Sequence, residues 1–175
     1  MPPGCVGEPS GWLLRHAALL PPGGTVLDLA CGEGRHVRWL RSLGRRVCAV
    51  DRDVAAVTAA WGNDPEVETV VADLEGAPWP LGQRTFAGVV VTNYLWRPLL
   101  PRVVAAVAPG GVLLYETFAV GHEAFGRPRN PDFLLREGEL LAAAAGLRIV
   151  ACEHGPDGEP PVAVRQRIAA VRDQA

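Results

Sequence analysis

Thr25-Val26-Leu27-Asp28-Leu29-Ala30-Cys31-Gly32-Glu33-Gly34 is the stretch from which the rest of the chain can be read. Its first half is a short apolar run bounded by glycine on both sides, the pattern of a buried strand. Gly32 and Gly34 then allow a sharp turn in which the backbone approaches a ligand where a Cβ would intrude. From Gly34 onward Val37, Leu40 and Leu43 recur at helical spacing, with Arg35, Arg38, Arg41 and Arg45 expected to face outward, and Gly44 ends the helix.

The pattern extends in both directions. Upstream, Ser10 caps a first helix in which Trp12, Leu13, His16, Ala17 and Leu20 cluster, until Pro21-Pro22-Gly23-Gly24 stops it. Downstream, strands are expected at residues 46–50, 67–72, 87–92, 111–116, 147–153 and 162–171. Helices are expected from Asp53, read as an N-cap, through Val57 to Trp61, and at 98–107 and 136–145. Residues 73–86, with Pro78-Trp79-Pro80, contain no helix, so one crossover is reduced. The final two strands have no helix between them, so the last is expected to run antiparallel. The fold class is therefore α/β: a Rossmann-like, doubly wound sheet of about seven strands, mainly parallel with the last antiparallel.

Composition narrows the function. The 175 residues carry 17 basic and 19 acidic groups, a balance that gives no general affinity for nucleic acid or membrane. Every one of those basic residues is arginine, which excludes a Schiff-base or phosphate-gripping lysine. Cys5, Cys31, Cys48 and Cys152 have neither C-x-x-C nor zinc-ligand spacing, so no metal is expected; they read as reduced, mostly buried thiols, which favours the cytoplasm. The beginning of the sequence lacks the charged-then-apolar order of a secretory signal, and no run is long enough to span a membrane. The domain expectation is a single unit, 1–175, as a monomer or homodimer.

In such a sheet ligands bind at the carboxyl ends of the strands. Three strand ends carry acids in order: Asp28 before the glycine turn, Asp51 with Arg52 after the second strand, and Asp73-Leu74 after the third. A carboxylate at Asp51 can accept from both hydroxyls of a ribose, and one at Asp73 from an adenine amino group. Asp28 either touches ligand or buttresses the turn, and Asp73 alternatively satisfies loop amides. A dinucleotide site would want G-x-G-x-x-G, but Val37 replaces the third glycine and Glu33 would sit beside the phosphates. S-adenosylmethionine, which has a nucleoside but no phosphate, suits the acids better.

Val26–Gly34 resembles the first motif of the class I S-adenosylmethionine-dependent methyltransferases. Ala49-Val50-Asp51, Ala72-Asp73-Leu74 and Ala108 to Leu114 resemble that family's later landmarks in order and spacing. The resemblance covers about residues 10–155. It implies that Ala30, Gly32 and Gly34 line the methionine portion of the cofactor, with Cys31 packed in the turn. It further implies that Asp51 holds the ribose, Asp73 and Leu74 the adenine, and that Thr92 and Asn93 lie nearest the methyl group. Ala30 departs from the family's glycine there, narrowing the space below the cofactor. Residues 130–141 are similar to a segment of small bacterial methyltransferases of the tellurite-resistance type, which act on tellurium, selenium and sulfur acceptors.

The resulting expectation is methyl transfer to a small-molecule acceptor, a thiol or a selenium or tellurium species, leaving S-adenosylhomocysteine. The alternatives are an RNA or protein methyltransferase, and a non-catalytic module that binds the cofactor. Asn93, Tyr94 and His122 are the catalytic candidates. Trp96, Glu116, Phe118, Phe125 and Arg127 are the acceptor candidates, with residues 10–22 as a covering helix and 117–133 as an acceptor loop. His36 is read as structural, and the Arg41, Arg45, Arg46 group as a solvated helix end.

Overall fold

The structure, a computed structural model, describes residues 7–174; Cys5 and the beginning of the sequence lie outside the described residues. Seven strands form one sheet in the order β3-β2-β1-β4-β5-β7-β6. In chain order they are β1 (Thr25–Leu29), β2 (Arg46–Asp51), β3 (Val67–Val71), β4 (Phe86–Thr92), β5 (Val107–Phe118), β6 (Arg148–Asp157) and β7 (Ala163–Val171). The pairings of β1 with β2 and β4, β2 with β3, and β4 with β5 are parallel. Strand β7 runs antiparallel between β5 and β6, as expected of a last strand that follows a hairpin. The order reverses beside β1, so the carboxyl ends of β1 and β4 flank the crevice where this architecture binds ligands.

Among the described residues five short α-helices cover the sheet: α1 (Gly11–His16), α2 (Arg35–Ser42), α3 (Ala55–Trp61), α4 (Leu100–Ala105) and α5 (Glu139–Ala143). Strand alternation divides the core in two. Trp12, Leu13, Val26, Val37, Leu40 and Val57 pack on one face. Leu27, Leu29, Leu99, Val103, Leu113 and Leu140 pack on the other. The Ser10 hydroxyl accepts from the amides of Trp12 and Leu13, giving α1 its expected cap. Trp12 is then buried with its indole N–H donating 3.0 Å to the carbonyl of Ile168, which pins α1 to β7.

Several local expectations need correction. Leu43 is 44% exposed, and buried Trp39 takes its place on the inner face of α2. The helix of 136–145 shrinks to α5 because Gly138 adopts φ 71°, outside helical space. The helix of 98–107 is a single 3-10 turn followed by α4, and β5 begins at Val107, before Pro109-Gly110. The residue preceding α3 is Val54, although Asp53 still accepts from the Ala55 amide at 2.9 Å. Cys152 is exposed, unlike Cys31 and Cys48. The arginines at the end of α2 are not merely solvated. Arg41 pairs with Asp64 at 2.9 Å, Arg45 donates to the carbonyls of Leu20 and Pro21, and Arg46 pairs with Glu66. At the start of the expected acceptor loop, 117–133, Ala119 donates to Val164 and Val120 to Leu135. Among the described residues no helix is long and apolar enough to cross a membrane.

Candidate functional site

Two clefts that share Ala30 run along the carboxyl ends of the central strands. One, of about 200 Å³, is lined by Asp51, Arg52, Asp73, Leu74, Glu75 and Tyr94. The other, of about 280 Å³, is lined by Cys31, Gly32, Glu33, Arg35, His36, Thr92 and Asn93. The fold thus brings the acids ending β2 and following β3 to one end of a trough, and the glycine turn and the end of β4 to the other.

Asp51 does two jobs before any ligand arrives. Its Oδ2 accepts from the Gly32 amide at 2.9 Å and its Oδ1 from the Asp53 amide at 3.3 Å. Each carboxylate oxygen has a second lone pair, so acceptor capacity for two hydroxyls remains. Asp73 places Oδ1 on the amides of Glu75 and Gly76, which holds its carboxyl below the usual range. The loop-capping alternative therefore holds, and it is compatible with Asp73 also lining the cleft. Tyr94 stands at this nucleoside-sized end rather than at the end of β4 near Asn93. Its phenol oxygen is buried with no partner, and burial followed by the charges of Glu75 and Asp73 pushes its pKa up. The phenol therefore stays protonated.

Ala30 adopts φ 57° in the left-handed region, so the departure from glycine carries strain and not only bulk. A left-handed alanine costs about 1–2 kcal/mol, of which glycine's freer unfolded chain returns about 0.4–1 kcal/mol. Ala30→Gly is therefore expected to raise the urea midpoint with an unchanged m-value, a gain of up to about 1 kcal/mol. A lower midpoint would show that the alanine methyl makes packing contacts worth more than the strain. Gly34, at φ 84°, precedes α2 and is buried rather than lining either cleft.

Three groups beside the glycine turn, Asp28, Cys31 and His36, are buried. Asp28 is 1% exposed, lies on the α1/α2 face of β1 and lines neither cleft; its Oδ2 has no partner. Burial, opposed by Arg35 and reinforced by Asp51, raises its pKa to about 7. Asp28 is thus buried beside the turn and outside both clefts. Burial also pushes the Cys31 thiol well up, so it is no nucleophile. His36 accepts the Ser10 amide on Nε2 at 3.2 Å, and its Nδ1 lies 3.4 Å from Thr92 Oγ1. The proton therefore sits on Nδ1. Burial, helped by Arg35, lowers the pKa of His36 to about 3, so it stays neutral while tying the entry to α1 to the end of β4.

The acceptor candidates scatter. Asn93 is at the mouth, φ 54°, with Oδ1 accepting from Arg165 at 2.6 Å. Glu116 is buried and paired with Arg167 at 2.9 Å in a neighbouring cleft of about 590 Å³. Phe118 stacks on His122 at 4.0 Å and beneath Arg165 at 4.3 Å. His122 is not a free base: its Nε2 bonds the Arg127 carbonyl at 3.0 Å and its Nδ1 accepts the Val164 amide at 3.4 Å. Arg127 and Phe125 are exposed, Trp96 packs against the core, and none of the three lines a cleft described above.

The residues missed by the sequence reading are Arg15, Arg35, Glu153, Asp157, Arg165 and Arg167, which line the larger cleft with Glu116. The period-two spacing of Arg165 and Arg167 placed them on one face of β7, a legible signal. Their convergence with α1 and β6 was not legible.

A family model described as a methyltransferase domain matches residues 26–111, the part carrying the glycine turn and both strand-end acids. A trans-aconitate 2-methyltransferase of Paracidovorax citrulli is 37% identical over 98 residues, 52% of this chain and 37% of that protein. A probable S-adenosylmethionine-dependent methyltransferase of Mycobacterium tuberculosis is 31% identical over 167 residues, covering 83% of this chain and 60% of that protein. The chain thus spans less than two thirds of the length of these curated relatives. Among solved structures, TehB from Haemophilus influenzae superposes with a TM-score of 0.73 at 20% identity, over 94% of this chain and 63% of that one.

Proposed function

We propose that this chain, which has the class I S-adenosylmethionine-dependent methyltransferase fold and resembles the tellurite-resistance type, methylates a small anionic molecule whose accepting atom arrives deprotonated. The observation that carries the reading is the trough itself. Asp51, Asp73 and Tyr94 line its nucleoside end, while Ala30 joins that end to the glycine turn and Thr92-Asn93. These groups suit a nucleoside and an amino acid, and Glu33 disfavours a pyrophosphate. The family match and the relatives named for methyl transfer, one of them acting on trans-aconitate, support it.

When bound, S-adenosylmethionine supplies a methyl group on a positively charged sulfur, open to in-line displacement. The chain's part is then positioning and exclusion of water. Asp51 rigidifies the glycine turn while accepting from the ribose, and Tyr94 walls the nucleoside end. His36 and His122 are each engaged by backbone groups, so neither imidazole stands ready to take an acceptor proton. That favours a thiolate, a chalcogen anion or a carboxylate over an alcohol or amine. The free, buried thiols of Cys31 and Cys48 fit a reducing, cytoplasmic setting.

Calorimetric titration with S-adenosylhomocysteine, with NAD as control, tests the reading. Binding of the first at roughly micromolar strength and none of the second is the expected result. Binding of NAD alone would sink it.

A further inference from the structure

The cleft beside Asn93 is built from α1, α2, β5, β6 and β7 and holds four guanidiniums, Arg15, Arg35, Arg165 and Arg167, against three carboxylates. Arg35 lines both this cleft and the glycine-turn end of the trough, so the two are neighbours. The arginines differ in what they have left to offer. Arg15 is bidentate to Glu153. Arg167 is consumed: Nε lies 2.9 Å from Glu116, Nη2 2.7 Å from Asp157 and Nη1 3.6 Å from Glu153.

Arg165 is held but not consumed. Its Nε donates to Asp157 at 3.1 Å, its Nη1 to Asn93 at 2.6 Å, and its plane lies over Phe118. Among the described residues Nη2 has no acceptor. A guanidinium carries five N–H groups, so those on the η nitrogens not used here remain for a ligand. The side chain is 16% exposed and fixed from three sides, so its ordering cost is met before anything binds. The surrounding carboxylates already face arginines, which leaves an incoming anion little to be repelled by.

We infer that Arg165 is the specificity-determining residue of the acceptor site, and that the acceptor is a small carboxylic acid gripped through its carboxylate beside Asn93. A planar carboxylate can accept two parallel N–H groups from a guanidinium fork. This rests on the proposed methyltransferase function, because only that reading makes the end of β4 the place of transfer.

The test uses malonate as probe, titrated into the full chain with and without saturating S-adenosylhomocysteine. The thermal midpoint is followed at constant ionic strength set with chloride, and selenite serves as the rival anion. Malonate is expected to raise the midpoint of the wild type at millimolar levels. Arg165→Gln is expected to need roughly ten-fold more, with S-adenosylhomocysteine affinity within about three-fold of wild type. Arg165→Lys, keeping the charge without the fork, is expected to fall between, and it carries the comparison if the glutamine variant does not fold. Equal malonate dependence in wild type and variants, no malonate effect in the wild type, or a selenite effect without a malonate effect would each overturn the inference. Failure of S-adenosylhomocysteine to bind the wild type overturns the function instead, and the titration of the ligand-free chain still reads Arg165.

Discussion

Asp51→Ala is expected to weaken S-adenosylhomocysteine binding ten- to a hundred-fold, about 1.5–3 kcal/mol, the usual worth of hydrogen bonds to a charged group. Two losses combine in that figure. The ribose hydroxyls lose their acceptor, and the Gly32 amide loses the partner that holds the turn at 2.9 Å. Asp51→Asn separates them, because an amide oxygen can still accept from Gly32 while the charge is gone. The asparagine variant is expected to lie between wild type and alanine in a calorimetric titration. An alanine variant that binds as the wild type does would show that the nucleoside end has been misassigned.

Asp28→Asn is expected to change the pH dependence of stability in the ligand-free protein by about 2–3 kcal/mol between pH 5 and pH 8. The sign follows from a folded pKa raised to about 7 against an ordinary 3.8. Between those values the unfolded chain ionises this carboxyl while the native chain keeps it protonated, so stability falls as pH rises through the window and levels off above 7. His36 works in the opposite direction. Its pKa is lowered to about 3, so its contribution is lost as pH falls below about 6.5. The wild-type profile is therefore flattened between pH 5 and 6.5, and the difference between wild type and Asp28→Asn is the informative quantity. Urea unfolding across that range should show the variant gaining on the wild type as pH rises. Parallel profiles would mean that Asp28 is ionised in the native protein at pH 5.

Strand-end acids and glycine turns were legible because they are local. Val26–Gly34 is at once a strand, a turn and a helix start, and the same few residues dictate all three. The antiparallel β7 was legible for a related reason: two strands with no room for a crossover must form a hairpin. His122 shows where locality ends. In sequence it is a polar residue in a long aperiodic stretch, the usual place for a base. In space the Val164 amide and the Arg127 carbonyl meet its two nitrogens, and an imidazole engaged on both sides has nothing left for a substrate.

The sequence by itself determined the layered α/β fold, the order of its strands and helices, the glycine turn and the acids at the ends of β2 and β3. These depend on hydrophobic period and backbone permissiveness, which act over a few residues. Only the tertiary structure decided that Asp28 is buried outside both clefts, that Tyr94 lines the same cleft as Asp51 and Asp73, and that Arg165 rather than Arg167 has donors to offer. Those outcomes depend on which partners, dozens of residues away, exhaust a group's hydrogen-bonding capacity or strip it of water. Such facts belong to the packed chain, because a lone pair or an N–H group is free only with respect to everything folded around it.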